Sequence, residues 1–274
     1  MVNNNPRNDD YNFRLNFAKF VISGPSTAYP GDGDPNSRGS CIQARFTAEN
    51  EGPSPPVICG TNTGYHMILE AREEPSCNKL TFSWESSGLE PEWNIQVMQI
   101  SCSAHWKPAP GCLQYFTGNT GVLYSYNYGG SLHLTNQQYD HCIRTEEGHC
   151  SISYSSLSTT SFQVSEIAPS TSAAIAVIGE SCSQDWITIP GGGQTSGAST
   201  SSDRQSGPAS HWSRSLQILR SDWLKLSSLL CHKDTRLPNP PTSISCLFLC
   251  LCGIRVGLGS MQGKDPLKAL ASAI

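Results

Sequence analysis

EWNIQVMQISC, residues 92–102, alternates apolar and polar side chains with the period of two that is typical of a half-buried β-strand. One face carries Trp93, Ile95, Val97 and Gln99, and the other carries Asn94, Gln96, Met98 and Ile100. Because the first face is mainly apolar, we expect it to be the buried one. The stretch therefore predicts a strand of an antiparallel sheet and sets the fold class of its surroundings.

Similar stretches occur on both sides of this strand. In residues 17–102 they are FAKFVISG, CIQARFTA, VICGTNTGYHMILEA and NKLTFSWESS, and in residues 112–192 they are GVLYSYNY, CSISYSS, SFQVSEI and DWITIPGG. Turn residues separate them, and SAHWKPAPG (103–111) resembles a linker. Short strands with frequent turns predict an all-β sandwich or barrel.

The composition excludes some classes of function. Charged residues make up 15% of the 274-residue chain, and the formal net charge is −4 with a pI near 6.0. A nucleic-acid-binding domain needs a basic surface, which this balance does not provide. We therefore expect no nucleic-acid partner.

Cysteine usage points to an oxidising compartment. Eight of the 12 cysteines are dispersed between residues 41 and 182, without the C-x-x-C spacing of zinc ribbons or thioredoxins. Dispersed cysteines in a β-rich chain are typical of disulfide-bonded extracellular proteins. The first residues have no apolar core of a secretory leader, so we expect that the natural N-terminus is missing.

From about residue 193 the composition and the hydrophobic pattern of the sequence change. Residues 193–274 begin with a polar, low-complexity stretch for which we predict disorder. SLQILRSDWLKLSSLL (215–230) has helical spacing and predicts one amphipathic helix. The apolar run SISCLFLCLCGIRVGLG (243–259) is interrupted by Arg255 and is short for a membrane span, so we consider a membrane anchor the weaker reading. We interpret the whole segment as a tail unrelated to the rest.

The second block resembles the first half of a CUB domain. The matching residues lie in CLQYFTGNTGVLYSYNY and NQQYDHC, and they are Cys112, Gly121, Ser125, Asn127, Tyr139 and Cys142. CSQDWITI continues the resemblance with Cys182, Asp185, Ile187 and Ile189. The first block resembles the second half of another copy through FVISG, VICGTNTGYHMIL and LTFSWESSGLEPEWNIQVMQI, most closely as in arthropod CUB-like secreted proteins.

The resemblance implies a CUB-like antiparallel β-sandwich of jelly-roll type, built from two partial copies. Residues 1–16 form an atypical N-terminus in place of the expected opening half, residues 17–102 are the closing half of one copy, and residues 112–192 are the opening half of the next. Neither half alone covers both faces of its sheets, so we expect the fold to be incomplete.

The family pattern also implies disulfide bonds. It pairs Cys112 with Cys142. Cys182 and Cys59 lack the partners that the family pattern gives them, and the weaker pairings that we consider are Cys41–Cys59, Cys77–Cys102 and Cys150–Cys182.

A calcium site is the cofactor that the resemblance implies, because many CUB domains bind calcium through carboxylates. Asp185 matches one ligand, Glu166 lies near another, and Glu85 occupies a comparable place in the first block. The alternative is that these are solvated turn residues. Two His-Cys pairs, at 141–142 and 149–150, suggest zinc, but neighbours on a strand point to opposite faces.

No catalytic motif of a hydrolase occurs, neither G-x-S-x-G nor a phosphate-binding loop, so we predict no enzyme. The aromatic residues Tyr115, Phe116, Tyr124, Tyr126 and Tyr128 form the sharpest recognition candidate. If 121–128 is a strand, then 124, 126 and 128 share a face. That face is either sandwich core or an exposed surface for a protein or glycan.

We therefore expect a secreted, non-enzymatic module that binds an extracellular protein or glycan. One alternative is the regulatory region of a secreted CUB-serine protease without its catalytic domain, which a downstream protease domain in the full-length gene would favour. Another is a non-functional product of a misassembled gene model. This alternative is tested by whether the natural transcript encodes residues 1–16 and 193–274.

Overall fold

The structure, a computed structural model, describes residues 11–28, 38–71, 77–85, 89–101, 104–130, 132–149, 151–158, 161–164, 177–178, 185–189, 193–194, 204–208, 213–217, 223–230, 245–251 and 259–263. Within these ranges the regular structure is β-strand, apart from one short 3-10 turn at Tyr128–Gly130. Every strand pair described is antiparallel. The all-β prediction is confirmed.

The strands follow the chain in this order. The first block contains β1 (Tyr11–Val21), β2 (Ala44–Ala48), β3 (His66–Glu70), β4 (Asn78–Trp84) and β5 (Glu92–Ser101). The second contains β6 (Cys112–Phe116), β7 (Gln137–Arg144), β8 (Ser151–Ser155), β9 (Gln163–Val164), β10 (Val177–Ile178) and β11 (Asp185–Thr188). The tail contains β12 (Gly193–Gln194), β13 (Arg204–Pro208), β14 (Ser213–Gln217), β15 (Trp223–Leu230), β16 (Ser245–Leu251) and β17 (Gly259–Gly263).

The chain divides into two compact units. The first consists of Met1–Gln114, Leu123–Thr135 and Asp234–Ile274, and the second of Tyr115–Val122 and Asn136–Lys233. Each unit therefore takes segments from more than one of the predicted domains.

The first unit is a two-layer sandwich. One sheet has the strand order β17-β5-β1-β3, and the other has the order β16-β4-β2. β1 is central in its sheet and pairs with β5 along its whole length, from Tyr11 opposite Ser101 to Val21 opposite Glu92. The predicted N-terminal boundary at residue 17 therefore falls inside a strand, and Phe13 and Leu15 are buried in the core.

Aromatic rings fill the space between these two sheets. Phe20 of β1 lies with its ring centroid 5.5 Å from that of Phe46 on β2 and 5.6 Å from that of Phe82 on β4. Phe82 in turn stacks on Trp93 of β5 at 4.4 Å. Rings at such separations stabilise a core beyond the burial of their area. Contacts from both sheets meet in this cluster, so it joins the layers of the first unit.

The face pattern that was predicted for residues 92–102 holds over most of β5. Trp93, Ile95 and Val97 are buried, and Gln96 is exposed. Ile100, which was expected on the outer face, is buried as well and lies opposite Asn12 of β1. The period of two thus identifies the strand. It does not predict that the outer face is also buried at Ile100, near the end of the strand.

The second unit contains two further sheets. The larger one follows the order β10-β13-β11-β15-β7-β6, with β9 paired to β13, and the smaller has the order β12-β14-β8. β7 and β15 pair over eight positions, from Arg144 opposite Trp223 to Gln137 opposite Leu230. The buried residues of this unit include Tyr115, Tyr139, His141, Cys142 and Ile189.

The predictions for the tail require a correction. The segment 215–230 was expected to be a helix, but its described parts belong to β14 and β15. The apolar residues of this segment fit a strand as well as a helix. β15 pairs with β7 and β11, and β14 pairs with β8 and β12, so each strand has a partner on both sides for its backbone groups. β16 and β17 likewise pair with β4 and β5, so the described parts of the tail complete the sheets of both blocks.

In the described part of the chain, no helix has the length and apolar character required to cross a lipid bilayer.

Candidate functional site

The segment from residue 121 to residue 130 is not the strand that its alternating tyrosines predicted. It forms turns and the 3-10 turn Tyr128–Gly130. Asn127 has a φ of 62°, in the left-handed region, which an extended strand does not allow. The three tyrosines therefore do not share a strand face, and the expected arrangement of 124, 126 and 128 is wrong.

Buried amide side chains hold this segment against the first block. The Oδ1 of Asn127 accepts the backbone N–H of Thr61 at 3.0 Å, and its Nδ2 donates to the carbonyl of Leu132 at 2.8 Å. The backbone N–H of Asn127 donates to the Oδ1 of Asn62 at 2.8 Å, and the Nδ2 of Asn62 donates to the carbonyl of Cys59 at 3.0 Å. Both asparagines are buried, so these bonds satisfy groups that are shielded from water.

Gly60 is required by this arrangement. Its φ is 75°, and a Cβ at this position would lie within van der Waals overlap of the Asn127 Oδ1. Only glycine lets the two chain segments approach so closely.

The far end of the segment is fixed as well. The backbone N–H of Thr135 donates to the carbonyl of Gly39 at 3.0 Å, and the hydroxyls of Thr135 and Ser40 lie 3.2 Å apart. The segment is therefore anchored at Asn127 and at Thr135, which reduces its freedom before any ligand binds.

Three tyrosines lie together where this segment meets residues 61–65. We call Tyr65, Tyr124 and Tyr128 the tyrosine surface. The rings of Tyr65 and Tyr124 are stacked, with centroids 5.6 Å apart and an interplanar angle of 13°, and Tyr128 lies 5.2 Å from Tyr124. Tyr128 is 40% exposed, while the other two are half-buried. The surface therefore presents aromatic area to solvent on a fixed backbone.

Tyr126 belongs to the core and not to this surface. It is fully buried, and its hydroxyl donates to the carbonyl of His66 at 2.9 Å. The carbonyl of His66 also accepts a hydrogen bond from the Nε2 of Gln114 at 3.3 Å. Both readings of the aromatic stretch thus hold for different residues: Tyr126 packs inside, and Tyr128 faces solvent.

The hydroxyl of Tyr65 is kept in its neutral form. Burial raises the pKa of Tyr65 because it disfavours the phenolate, and the hydrogen bond from the backbone N–H of Gly129 offsets part of this effect. At neutral pH the group therefore offers hydrogen bonding and ring area, not an anionic nucleophile.

Tyr115 and Phe116, the other predicted aromatic candidates, are not part of the tyrosine surface. They end β6, and Tyr115 is buried. Burial raises the pKa of Tyr115, with the positive charge of Arg144 acting in the opposite direction. The ring of Phe116 lies 6.0 Å from that of His141. These residues therefore pack within the second unit.

The structure does not test the predicted calcium ligands as a set, because they do not all lie in the described residues. Asp185 is the first residue of β11, opposite Leu230, and Glu166 lies outside the described residues. Glu85 follows β4, and its backbone N–H donates to the carbonyl of Gln43 at 2.9 Å. No group of three metal-binding side chains is found in the part of the chain that is described. The calcium site stays a prediction.

The two His-Cys pairs do not form a zinc site from the residues described. Cys142 is disulfide-bonded, so its sulfur is not a free thiolate ligand. His141 is buried between Phe116 and Tyr139, and burial lowers its pKa to about 4, with the charge of Asp140 opposing the shift. His149 is exposed, and Cys150 lies outside the described residues.

Several predicted disulfide cysteines are oxidised. Cys41 is bonded to Cys59, as expected. Cys112 and Cys142 are both disulfide-bonded, in agreement with the Cys112–Cys142 bridge of the family pattern. Cys77 is disulfide-bonded too, while Cys102, Cys150 and Cys182 lie outside the described residues.

Sequence reasoning missed Tyr65, Asn62 and Gly60 as parts of the site. The available signal was the run GTNTGY (60–65), in which glycines flank an asparagine and a threonine, a pattern typical of tight turns. Nothing local indicates that Asn127 would be its partner.

Comparison with known proteins supports one family. Residues 109–220 match the family model for the animal CUB domain. The match extends beyond residue 192, where the tail was predicted to begin, and it does not reach β1–β5, so the second copy stays a prediction. Among solved structures, the CUB1-EGF-CUB2 domain of human MASP-1/3 is similar at 14% identity over 81% of this chain and 89% of that chain, with a TM-score of 0.22. Values this low indicate nothing about shared function. No curated protein matches the chain.

Proposed function

We propose that the chain is an extracellular, non-enzymatic binding module that recognises its ligand by surface complementarity, because residues 109–220 match the family model for the animal CUB domain. The family match is the observation that carries this proposal. CUB domains are generally binding modules without catalytic function.

The oxidised cysteines support the extracellular location. Cys41 and Cys59 are bonded, and Cys77, Cys112 and Cys142 are also in disulfides. Such bonds persist in secreted proteins and are reduced in the cytosol. The protein would therefore require an oxidising compartment to reach its folded state.

The tyrosine surface supports the binding role. Tyrosine is enriched at recognition surfaces because its ring provides contact area with few rotatable bonds. Tyr128 is exposed while its neighbours Asn127 and Tyr126 are buried, so the ring stands on a fixed base. This is the arrangement expected of a module that binds without chemistry.

The test uses the whole chain expressed with a secretory leader in animal cells. We expect secretion, complete oxidation of the cysteines between residues 41 and 182 by non-reducing mass spectrometry, and saturable binding to at least one member of a panel of multimerised extracellular domains and glycans. Reduction with dithiothreitol should abolish the binding. Free thiols in the secreted protein, or no saturable ligand in the panel, would contradict the proposal.

A further inference from the structure

The two chain segments that form the tyrosine surface carry no acidic side chain and no lysine or arginine. Residues 58–69 and 123–135, which form it, contain no Asp, Glu, Lys or Arg. In a chain with 18 basic and 22 acidic residues, two segments that meet without a charge present a neutral face. A ligand that relies on its own charge finds no counter-charge on these two segments.

The rim of the surface is open and built from small residues. Thr63, Gly64, Gly129 and Gly130 are exposed, and no heavy atom lies within 4 Å of the position that a Cβ on Gly64 would occupy. Glycines leave the backbone accessible to a ligand with many hydroxyl groups. Gly129 and Gly130 follow Tyr128 directly in the chain, so no side chain flanks it on its C-terminal side.

The area and rigidity of the surface favour a small, flat, neutral group. One exposed ring, Tyr128, stands next to the stacked pair Tyr65 and Tyr124. The hydrogen bonds of Asn127 hold the segment in place. A weakly binding, neutral ligand therefore does not have to offset the entropic cost of ordering a loop. The apolar face of a sugar ring is about as large as one tyrosine ring. The hydroxyl groups of a sugar can form hydrogen bonds with a polar, uncharged rim.

We infer that the tyrosine surface binds a neutral carbohydrate, with a sugar ring against Tyr128. The inference rests on the proposed function and names the ligand class of the same module. It commits to a glycan, whether free or attached to a protein.

The experiment is saturation-transfer NMR with the oxidised full chain and a defined set of probes. The neutral probes are the hexasaccharides of mannose, of β-1,3-linked glucose and of N-acetylglucosamine. A heparin hexasaccharide tests for an acidic glycan, and a proline-rich decapeptide tests for a peptide that would also stack on tyrosine.

We expect saturable binding of at least one neutral hexasaccharide. Tyr128→Ala should weaken it by about tenfold or more, and Tyr128→Phe should keep it within about threefold, because the ring supplies the contact. Leu89→Ala is the matched control, since Leu89 is a more exposed apolar residue of the same unit, at 57%, and should leave affinity unchanged.

The inference is overturned if no neutral hexasaccharide binds more tightly than about 10 mM. It is also overturned if Tyr128→Ala binds as well as the parent chain, or if heparin or the peptide is the only Tyr128-dependent ligand. If a protein domain from the panel above binds and none of the sugars does, the carbohydrate inference is wrong and the proposed binding function still holds. Because Tyr128 is exposed, we expect thermal melting to show that Tyr128→Ala is folded. If Tyr128→Ala does not fold, the affinity of Tyr128→Phe still tests whether the ring supplies the contact.

Discussion

The side-chain oxygen of Asn127 accepts the backbone N–H of Thr61, 66 residues earlier in the chain, at 3.0 Å. Replacement of Asn127 by alanine removes this acceptor and also the donor to the carbonyl of Leu132. It also places alanine at a φ of 62°. We expect Asn127→Ala to lower the free energy of unfolding by about 2–4 kcal/mol, as measured by denaturant titration.

Asn127→Gly separates the two contributions. Glycine adopts the left-handed conformation without strain, so this variant should be more stable than Asn127→Ala by about 1 kcal/mol and still less stable than the parent. An alanine variant within about 0.5 kcal/mol of the parent would show that the hydrogen bonds contribute little.

Gly60→Ala should be strongly destabilising, because Gly60 is buried against Asn127. A Cβ would overlap the Oδ1 of Asn127, and the residue has a φ of 75°. Gly64→Ala is the matched control, because its φ is 88° but nothing lies within 4 Å of the added carbon. The control should cost about 1 kcal/mol from backbone strain, and Gly60→Ala at least about twice as much.

A double-mutant cycle then isolates the clash. Gly60→Ala combined with Asn127→Gly should be less destabilising than the sum of the two single changes, because the Oδ1 is gone. Strict additivity in thermal or denaturant unfolding would mean that the two residues are not in contact.

Removal of the Cys41–Cys59 bond should destabilise the first unit. The bond closes a sequence separation of 18, for which the chain-entropy relation gives about 3 kcal/mol. The double variant Cys41→Ala/Cys59→Ala should lose roughly that amount in denaturant titration under non-reducing conditions. Identical unfolding midpoints for the variant and the parent would contradict it.

The stability of the second unit should fall as the pH drops from about 6.5 to about 4. His141 is buried and its folded pKa is about 4, while the unfolded chain titrates near 6.5. In that window the unfolded state binds the proton and the folded state does not, so unfolding becomes easier as the pH falls. The total loss is about 3 kcal/mol.

Hydrogen exchange of the β7 amides at a series of pH values measures this effect. His141→Phe should flatten the dependence, because the titrating group is removed, while His149→Gln, at an exposed position of the same unit, should leave it unchanged. Equal slopes for parent and His141→Phe would assign the acid sensitivity to other groups.

The predictable parts of the fold are those that local patterns determine. Trp93, Ile95 and Val97 alternate and are buried as expected, because a period of two fixes the inward face of a strand. The stretch 124–128 alternates as well, but Asn127 adopts a left-handed conformation that only its distant partners Thr61 and Asn62 stabilise. The alternation of residues within 124–128 cannot indicate hydrogen bonds to residues that lie more than 60 positions earlier in the chain.

The same reasoning applies to the tail and to the tyrosine surface. Leu224 and Leu226 fit a helix or a strand, and the pairing of β15 with β7 decides between them. Tyr124 and Tyr128 were predicted as recognition candidates from their spacing, but Tyr65 comes from the other block, and its stacking on Tyr124 depends on the tertiary fold. The dispersed cysteines predicted the disulfide bonds and the resemblance implied a β-sandwich, but neither indicated this contact.

β3 ends its sheet, and its outer edge is already occupied by the chain's own side chains. Gln114 and Tyr126 donate to the carbonyl of His66, and Asn50 and Asn78 bond to the backbone of Glu70. A strand from a second molecule would have to displace these bonds before it could pair there. These positions of β3 are thereby less open to edge-to-edge pairing, the contact through which sheets aggregate and amyloid grows.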